Sequence, residues 1–213
     1  KTKEIIDKII KMKIYLIFIS SEFVFSGNKG NYEEKNLPKP INLYGKQKLI
    51  IEKYLTNNYK NFSILRIAKT YSDDITDKTL ITNYVKEIFL KKKVFFVSKK
   101  QIFSPLYVND LIKIIYFFLY KKKTGIFHIG GPDPLSRYQV LIKILKKINK
   151  YDDFNPQIKI INLNKLKLIA KRPLNVSLNI KKLKRNINFD LKNIDFVLKV
   201  ILKTFYAKKL NSR

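Results

Sequence analysis

In "TKEIIDKIIKM" the apolar positions 5, 6, 9, 10 and 12 recur at helical spacing and predict a helix over residues 2–12. It runs directly into "IYLIFIS", residues 14–20, an apolar run of the kind a buried strand shows. A polar loop with Gly27, Gly30, Pro38 and Pro40 follows, then a helical pattern over residues 43–57 and a second apolar strand, "FSILRIA". This alternation predicts an α/β fold: part of a Rossmann-like, doubly wound parallel sheet with helices on its faces. An active site is then expected at the carboxyl ends of the strands.

Downstream, "TDKTLITNYVKEIFLKKK" predicts a helix capped by Thr76 or Asp77, "VFFV" a short strand and "IFSPLYV" a loop. Asn109 and Asp110 read as the cap of a helix reaching Lys121, and "GIFHIGG" as a short buried strand ending in glycines. After Ser136 the pattern gives a helix over residues 138–149, a proline-containing loop, a strand at residues 159–163 and short helices to the end. The weaker periodicity there suits a small α/β substrate-binding lobe. The expected division is a Rossmann-like part over residues 1–130 and the lobe over residues 131–213.

Composition narrows the function classes. A 213-residue chain that is 46% apolar can bury a sizeable core. The formal charge of +29 invites a nucleic-acid reading, but only five of 45 basic residues are arginine, and no basic stripe interleaved with aromatics stands out. No specific nucleic-acid partner is therefore expected. The chain has no cysteine and one histidine, which excludes disulfides, thiolate chemistry and a histidine-rich metal site, and fits a cytoplasmic setting. The longest apolar segment, around residues 114–120, falls short of the ~20 residues a membrane-spanning helix needs, so no membrane partner is expected.

The candidate chemistry lies in "NLYGKQKLIIEKYL". Tyr44 and Lys48 are four residues apart at the start of a helix and share one face. An ammonium beside a phenol favours the phenolate, drawing it down from an ordinary pKa of ~10 toward a range useful for proton transfer. A hydroxyl at the end of the neighbouring strand would hold the same carbonyl oxygen, and Ser20 and Ser21 stand where "IYLIFIS" runs out. By itself Tyr-x-x-x-Lys is a weak signal in a chain with 13 tyrosines.

Six blocks strengthen it: "FISSEFVFSG", "YEEKNLPKPINLYGKQKLIIEKYL", "SILRIAKTY", "SPLYVNDLIKII", "GIFHIGGPDPLSRYQ" and "RPLNVSLNIKKLK". In order and spacing they resemble the extended short-chain dehydrogenase/reductases, and among them the dTDP-4-dehydrorhamnose reductase group. The resemblance implies an NAD(P)H-dependent reductase of a 4-keto nucleotide sugar. In that scheme Tyr44 protonates the keto oxygen, Lys48 tunes the tyrosine and holds the nicotinamide ribose, and Ser21 polarises the carbonyl. Ser20 and Arg66 join Tyr44 and Lys48 as expected contacts of NADPH or NADH, and Arg137 and Arg172 are substrate-phosphate candidates. Glu52 is expected to pair with Lys48 or a neighbour, and His128 to sit in the core.

The chain departs from the family pattern at Phe23, Ser26, Gln47, Lys69 and Ser72. None of its six glycines makes the phosphate-binding turn after an opening strand, so the resemblance covers the C-terminal two-thirds of such a reductase. The chain alone is accordingly expected to bind no NAD(P)H, to lack reductase activity and to associate through an uncovered strand edge. Two alternatives stay open: a non-catalytic relative like the regulatory subunits of methionine adenosyltransferase, and a nucleotide-sugar epimerase or dehydratase. A nucleotide sugar is the expected small-molecule partner, with a homodimer left open.

Overall fold

The computed structural model describes residues 1–150, 152–162 and 170–210, with side chains as far as Tyr206. Its centre is a parallel three-stranded sheet in the order β1 (Leu16–Ser21), β2 (Phe62–Ile67), β7 (Gly125–Ile129). Helices α1 (Thr2–Lys11) and α2 (Leu43–Asn58) cover one face, where Ile6 and Leu55 pack on Phe62 and Ile64. Helix α4 (Val108–Lys121) covers the other, where Ile114 and Phe118 meet Leu65, Phe127 and Ile129. Ile64 and Leu65 point to opposite faces because successive strand side chains alternate. The sheet is thus buried on both sides, as the apolar runs "LIFIS" and "FSILRI" require.

A second core forms around α3 (Leu80–Phe89), β4 (Val94–Val97), α5 (Arg137–Ile148) and α7 (Ile194–Leu210), and draws residues from both sides of position 130. β4 pairs in parallel with β9 (Gln157–Ile160). Ser136 caps α5 through a reciprocal box with Gln139, at 2.8 and 3.1 Å. The short α6 (Lys181–Lys184) packs on β7. Among the described residues no helix is long and apolar enough to cross a membrane.

Several local expectations are corrected. The segment expected as a loop forms two short strands, β5 (Ile102–Phe103), antiparallel to β8 (Leu135–Ser136), and β6 (Leu106–Tyr107), parallel to β3 (Thr70–Tyr71). The N-cap of α3 is Thr79 rather than Thr76 or Asp77; the Asp77 carboxylate instead accepts from Thr79 N at 2.9 Å and from the Thr82 and Ser72 hydroxyls. α4 starts one residue before Asn109. Its Asp110 is buried, and Oδ2 accepts from Lys192 N at 2.6 Å, tying the approach to α7 onto α4. The late strand spans residues 157–160 instead of 159–163, position 163 lying outside the described residues. The expected short terminal helices include one of 17 residues, α7, because Ile194, Val197, Leu198, Ile201 and Leu202 supply a continuous buried stripe.

Residues 173–180 sew the parts together. Asn175 N donates to Gly27 O at 2.8 Å, Tyr32 N to Ser177 O at 2.9 Å, Asn179 N to Tyr32 O at 2.7 Å and Ile102 N to Leu174 O at 2.7 Å. Gly27 has φ +81°, and a Cβ there would lie 2.5 Å from Pro173 Cβ, so this approach demands glycine. The loop after β1 is thereby clamped to the strand-like segment that follows Arg172.

Candidate active site

The site is assembled where β1 ends and α2 begins. Asn42 caps α2: its Oδ1 accepts from Gly45 N at 2.8 Å, while its Nδ2 donates to Lys171 O at 3.1 Å. One residue therefore fixes the helix start and pins the backbone beside Arg172. Gly45 lets the helix close onto the 3₁₀ turn Glu22–Val24, since a Cβ on it would lie 2.1 Å from Phe23 O.

Tyr44, Lys48 and Glu52 follow one another at four-residue spacing along α2. Tyr44 is 49% exposed, and its ring meets Phe23 edge-on with centroids 6.2 Å apart. Lys48 Nζ lies 5.6 Å from the Tyr44 ring centroid and donates to Ile19 O at 2.8 Å, at the carboxyl end of β1. Ser21, the last residue of β1, is buried and accepts from Phe23 N at 3.2 Å, which leaves its hydroxyl proton to donate. The structure brings Tyr44, Lys48 and Ser21 to one end of the sheet, where a phenol, an ammonium and a hydroxyl are the donor set a reducible carbonyl requires.

Ser20 and Arg66, expected at the cofactor, do not join them. Both are buried within the sheet's covered face. Ser20, Arg66 and His128 are neighbours across the three strands, Ser20 opposite Arg66 and Arg66 opposite His128. Glu52 comes down from α2 onto this row. It accepts from Ser20 Oγ at 2.5 Å and from Arg66 Nη2 at 2.7 Å and Nε at 3.1 Å. Its partners are thus Arg66 and Ser20 rather than Lys48. Arg66 Nη1 lies 3.3 Å from His128 Nε2, and the guanidinium sits 5.1 Å from the Phe25 ring. His128 Nδ1 is 2.9 Å from Tyr32 O. A carbonyl only accepts and a guanidinium only donates, so His128 carries its proton on Nδ1 and is neutral. Burial foremost, then the Arg66 charge, hold it down at about 3. It is a core histidine, as expected.

Arg137 and Arg172 do meet. They line one cavity of about 210 Å³ with Glu22, Phe23, Lys69 and Gln101, adjoining Ser21 and the Phe23 ring that touches Tyr44. Three cations face one carboxyl there. Burial first, then the Arg137 and Arg172 charges, lower Lys69, and Glu22 raises it. Burial foremost pushes Glu22 up to about 8, the Lys69 ammonium and amide opposing. Sequence reasoning singled out Lys69 only as a departure, and missed Glu22 and Gln101: an acid in a turn and an amide in a loop carry no pattern signal.

Tyr44 and Lys48, reachable from solvent at a strand's carboxyl end, fit the ribose and nicotinamide end of a dinucleotide by the chemistry of their donors. The described glycines provide no strand-to-helix phosphate turn.

Comparison with known proteins fits this arrangement. The chain matches the RmlD substrate binding domain family over residues 1–207. It is 28% identical over 141 residues to methionine adenosyltransferase 2 subunit beta of Bos taurus, covering 63% of this chain and 42% of that protein. It is 27% identical over 182 residues to dTDP-4-dehydrorhamnose reductase of Aggregatibacter actinomycetemcomitans, covering 80% and 60%. The chain therefore spans less than two thirds of the length of these relatives. A hypothetical dTDP-4-dehydrorhamnose reductase from Sulfolobus tokodaii superposes with a TM-score of 0.76 at 28% identity, over 92% of this chain and 66% of that one. The Bacillus anthracis reductase in complex with NADP superposes at 0.77 with 21% identity, over 91% and 67%, a likeness of fold. With a parallel sheet covered on both faces and a match running nearly its whole length, the chain belongs to the RmlD substrate binding domain family.

Proposed function

We propose that this chain is the substrate-side part of an NAD(P)H-dependent reductase acting on a 4-keto nucleotide sugar. The observation that carries the reading is the stacking of two sites: Tyr44, Lys48 and Ser21 around the end of β1, next to a cavity in which Lys69, Arg137 and Arg172 gather positive charge. Ser21 donates to the keto oxygen and Tyr44 passes its proton to that oxygen as it becomes an alkoxide. Lys48, held by Ile19 O, presents its charge beside the phenol and supports its ionisation after the transfer. The dinucleotide, when bound, supplies the hydride to the carbonyl carbon and leaves oxidised. The arginines and Lys69 receive the anionic phosphates, arginine by two parallel N–H bonds.

The test joins this chain to a segment that supplies a glycine-rich phosphate turn and follows NAD(P)H absorbance with dTDP-4-dehydrorhamnose as substrate. Absorbance should fall with one equivalent of product, and Tyr44→Phe should stop turnover. Product formed without net consumption of reduced cofactor would mean an epimerase or dehydratase instead. A second reading, a non-catalytic partner subunit, draws on the likeness to methionine adenosyltransferase 2 subunit beta. A protein that binds nucleotide sugar yet turns over none, with Tyr44→Phe indistinguishable, would favour it.

A further inference from the structure

Two buried polar atoms in the cavity have no hydrogen-bond partner: Glu22 Oε2 and Gln101 Oε1. Their residues are only 4% and 8% exposed, and both line the same 210 Å³ space as Lys69, Arg137 and Arg172. An unpartnered buried polar atom costs about 1–3 kcal/mol, so two of them in one wall describe a surface finished by something that enters. The backbone of Gln101 is tied: Arg137 N donates to Gln101 O at 3.1 Å, and Gln101 N to Ser98 Oγ at 3.3 Å. Both side chains end in an oxygen without a partner.

We propose that Glu22 and Gln101 are the specificity-determining residues of this cavity, reading hydroxyl groups of a sugar whose phosphates are held by Lys69, Arg137 and Arg172. This rests on the reading of the cavity as a nucleotide-sugar site. A ligand of phosphate alone would satisfy the cations and leave the acceptor Gln101 Oε1 bare, whereas hydroxyls both donate and accept. The raised protonation range of Glu22 agrees: at neutral pH it is a neutral acid, able to donate to a hydroxyl without repelling an anion nearby. Discrimination by a site built for hydroxyls is large, because a ligand without them strands the protein's own polar groups.

The test is equilibrium binding of dTDP and of dTDP-glucose by calorimetry, which needs no dinucleotide. The natural sequence should prefer dTDP-glucose by roughly tenfold or more. Glu22→Leu and Gln101→Leu should each bring dTDP-glucose close to the dTDP value while dTDP binding holds, and Glu22→Gln should keep part of the preference. Glu22→Leu should also melt no lower than the natural sequence, since it removes a spare polar atom. Equal affinity for the two probes in the natural sequence, or a preference that survives both leucine changes, would overturn the inference and leave the cavity's phosphate role standing. Failure of either probe to bind would overturn that role as well. If Glu22→Leu unfolds, the carboxyl is not spare and the inference falls for Glu22, while Gln101→Leu decides for the amide.

Discussion

Arg66 and His128 are partners across adjacent parallel strands, with Nη1 and Nε2 3.3 Å apart, and Glu52 takes the rest of the guanidinium from above. This buried row bolts α2 to the sheet. About one and two turns of helix away, the same face carries Lys48 and Tyr44, so the position of the candidate catalytic pair is inherited from an ion pair buried between helix and sheet.

Breaking that pair from one side should be costly. Glu52→Gln or Arg66→Met leaves a buried charge without its counterpart and should lower unfolding stability by about 3–5 kcal/mol in a denaturant titration. The double change Glu52→Met with Arg66→Met should recover much of the loss. Additive losses in the double variant would contradict the account.

His128 sets an acid limit. Its folded pKa is depressed to about 3 from an ordinary 6.5, so the stability it contributes is present above pH 6.5 and is lost as pH falls toward 3. The loss should be on the order of 4 kcal/mol at the acid end. Replacement by Gln should flatten the pH profile of unfolding through that window, and an unchanged profile would remove His128 from the explanation.

Glu22 acts in the opposite direction. Its folded pKa is raised to about 8 from 4.5, so stability is fully present below pH 4.5 and is lost as pH rises through 8. The natural protein should weaken by a few kcal/mol, an order-of-magnitude figure, across that interval, and Glu22→Gln should not. Thermal melts at pH 5, 7 and 9 compare the two.

Gly45→Ala should reverse a familiar sign. Alanine inside a helix is ordinarily better than glycine by about 1 kcal/mol. Here its Cβ would press on Phe23 O at 2.1 Å, so α2 must back away from the turn that carries Glu22 and Phe23. The variant should melt several degrees lower, about what 1–3 kcal/mol of overpacking produces. A rise in melting temperature would show that the contact is loose.

Much of this was legible in the sequence, and the limits are physical. Helical and apolar periodicity set out the order of the main elements, whereas Tyr44, Lys48 and Ser21 stood out through the six blocks that resemble a known family, because Tyr-x-x-x-Lys alone is weak. Ser20 and Arg66 were expected at the cofactor because a polar residue at a strand end looks exposed, whereas both are buried against Glu52. Which face it occupies depends on Glu52 and His128, 32 positions or more from one or other member of the row, and local pattern carries no such information. Asp110 read as a cap because a cap and a buried tether use the same residue type. Arg137 and Arg172 were singled out, but not that Glu22 and Gln101 line the same cavity.

The clamp at residues 173–180 bears on how the molecule is made. Asn31 N reaches Ser177 Oγ at 2.8 Å across 146 positions of chain, and Gly27 waits on Pro173 and Asn175. During synthesis the chain emerges at about 5–20 residues per second, so β1 and its loop exist for many seconds before their clamp leaves the ribosome. The sheet's first two strands can pair early, but the candidate site cannot close until residues 173–180 are out. The site therefore matures late, and a ribosome stalled before residue 173 would hold a nascent chain with paired strands and no working pocket.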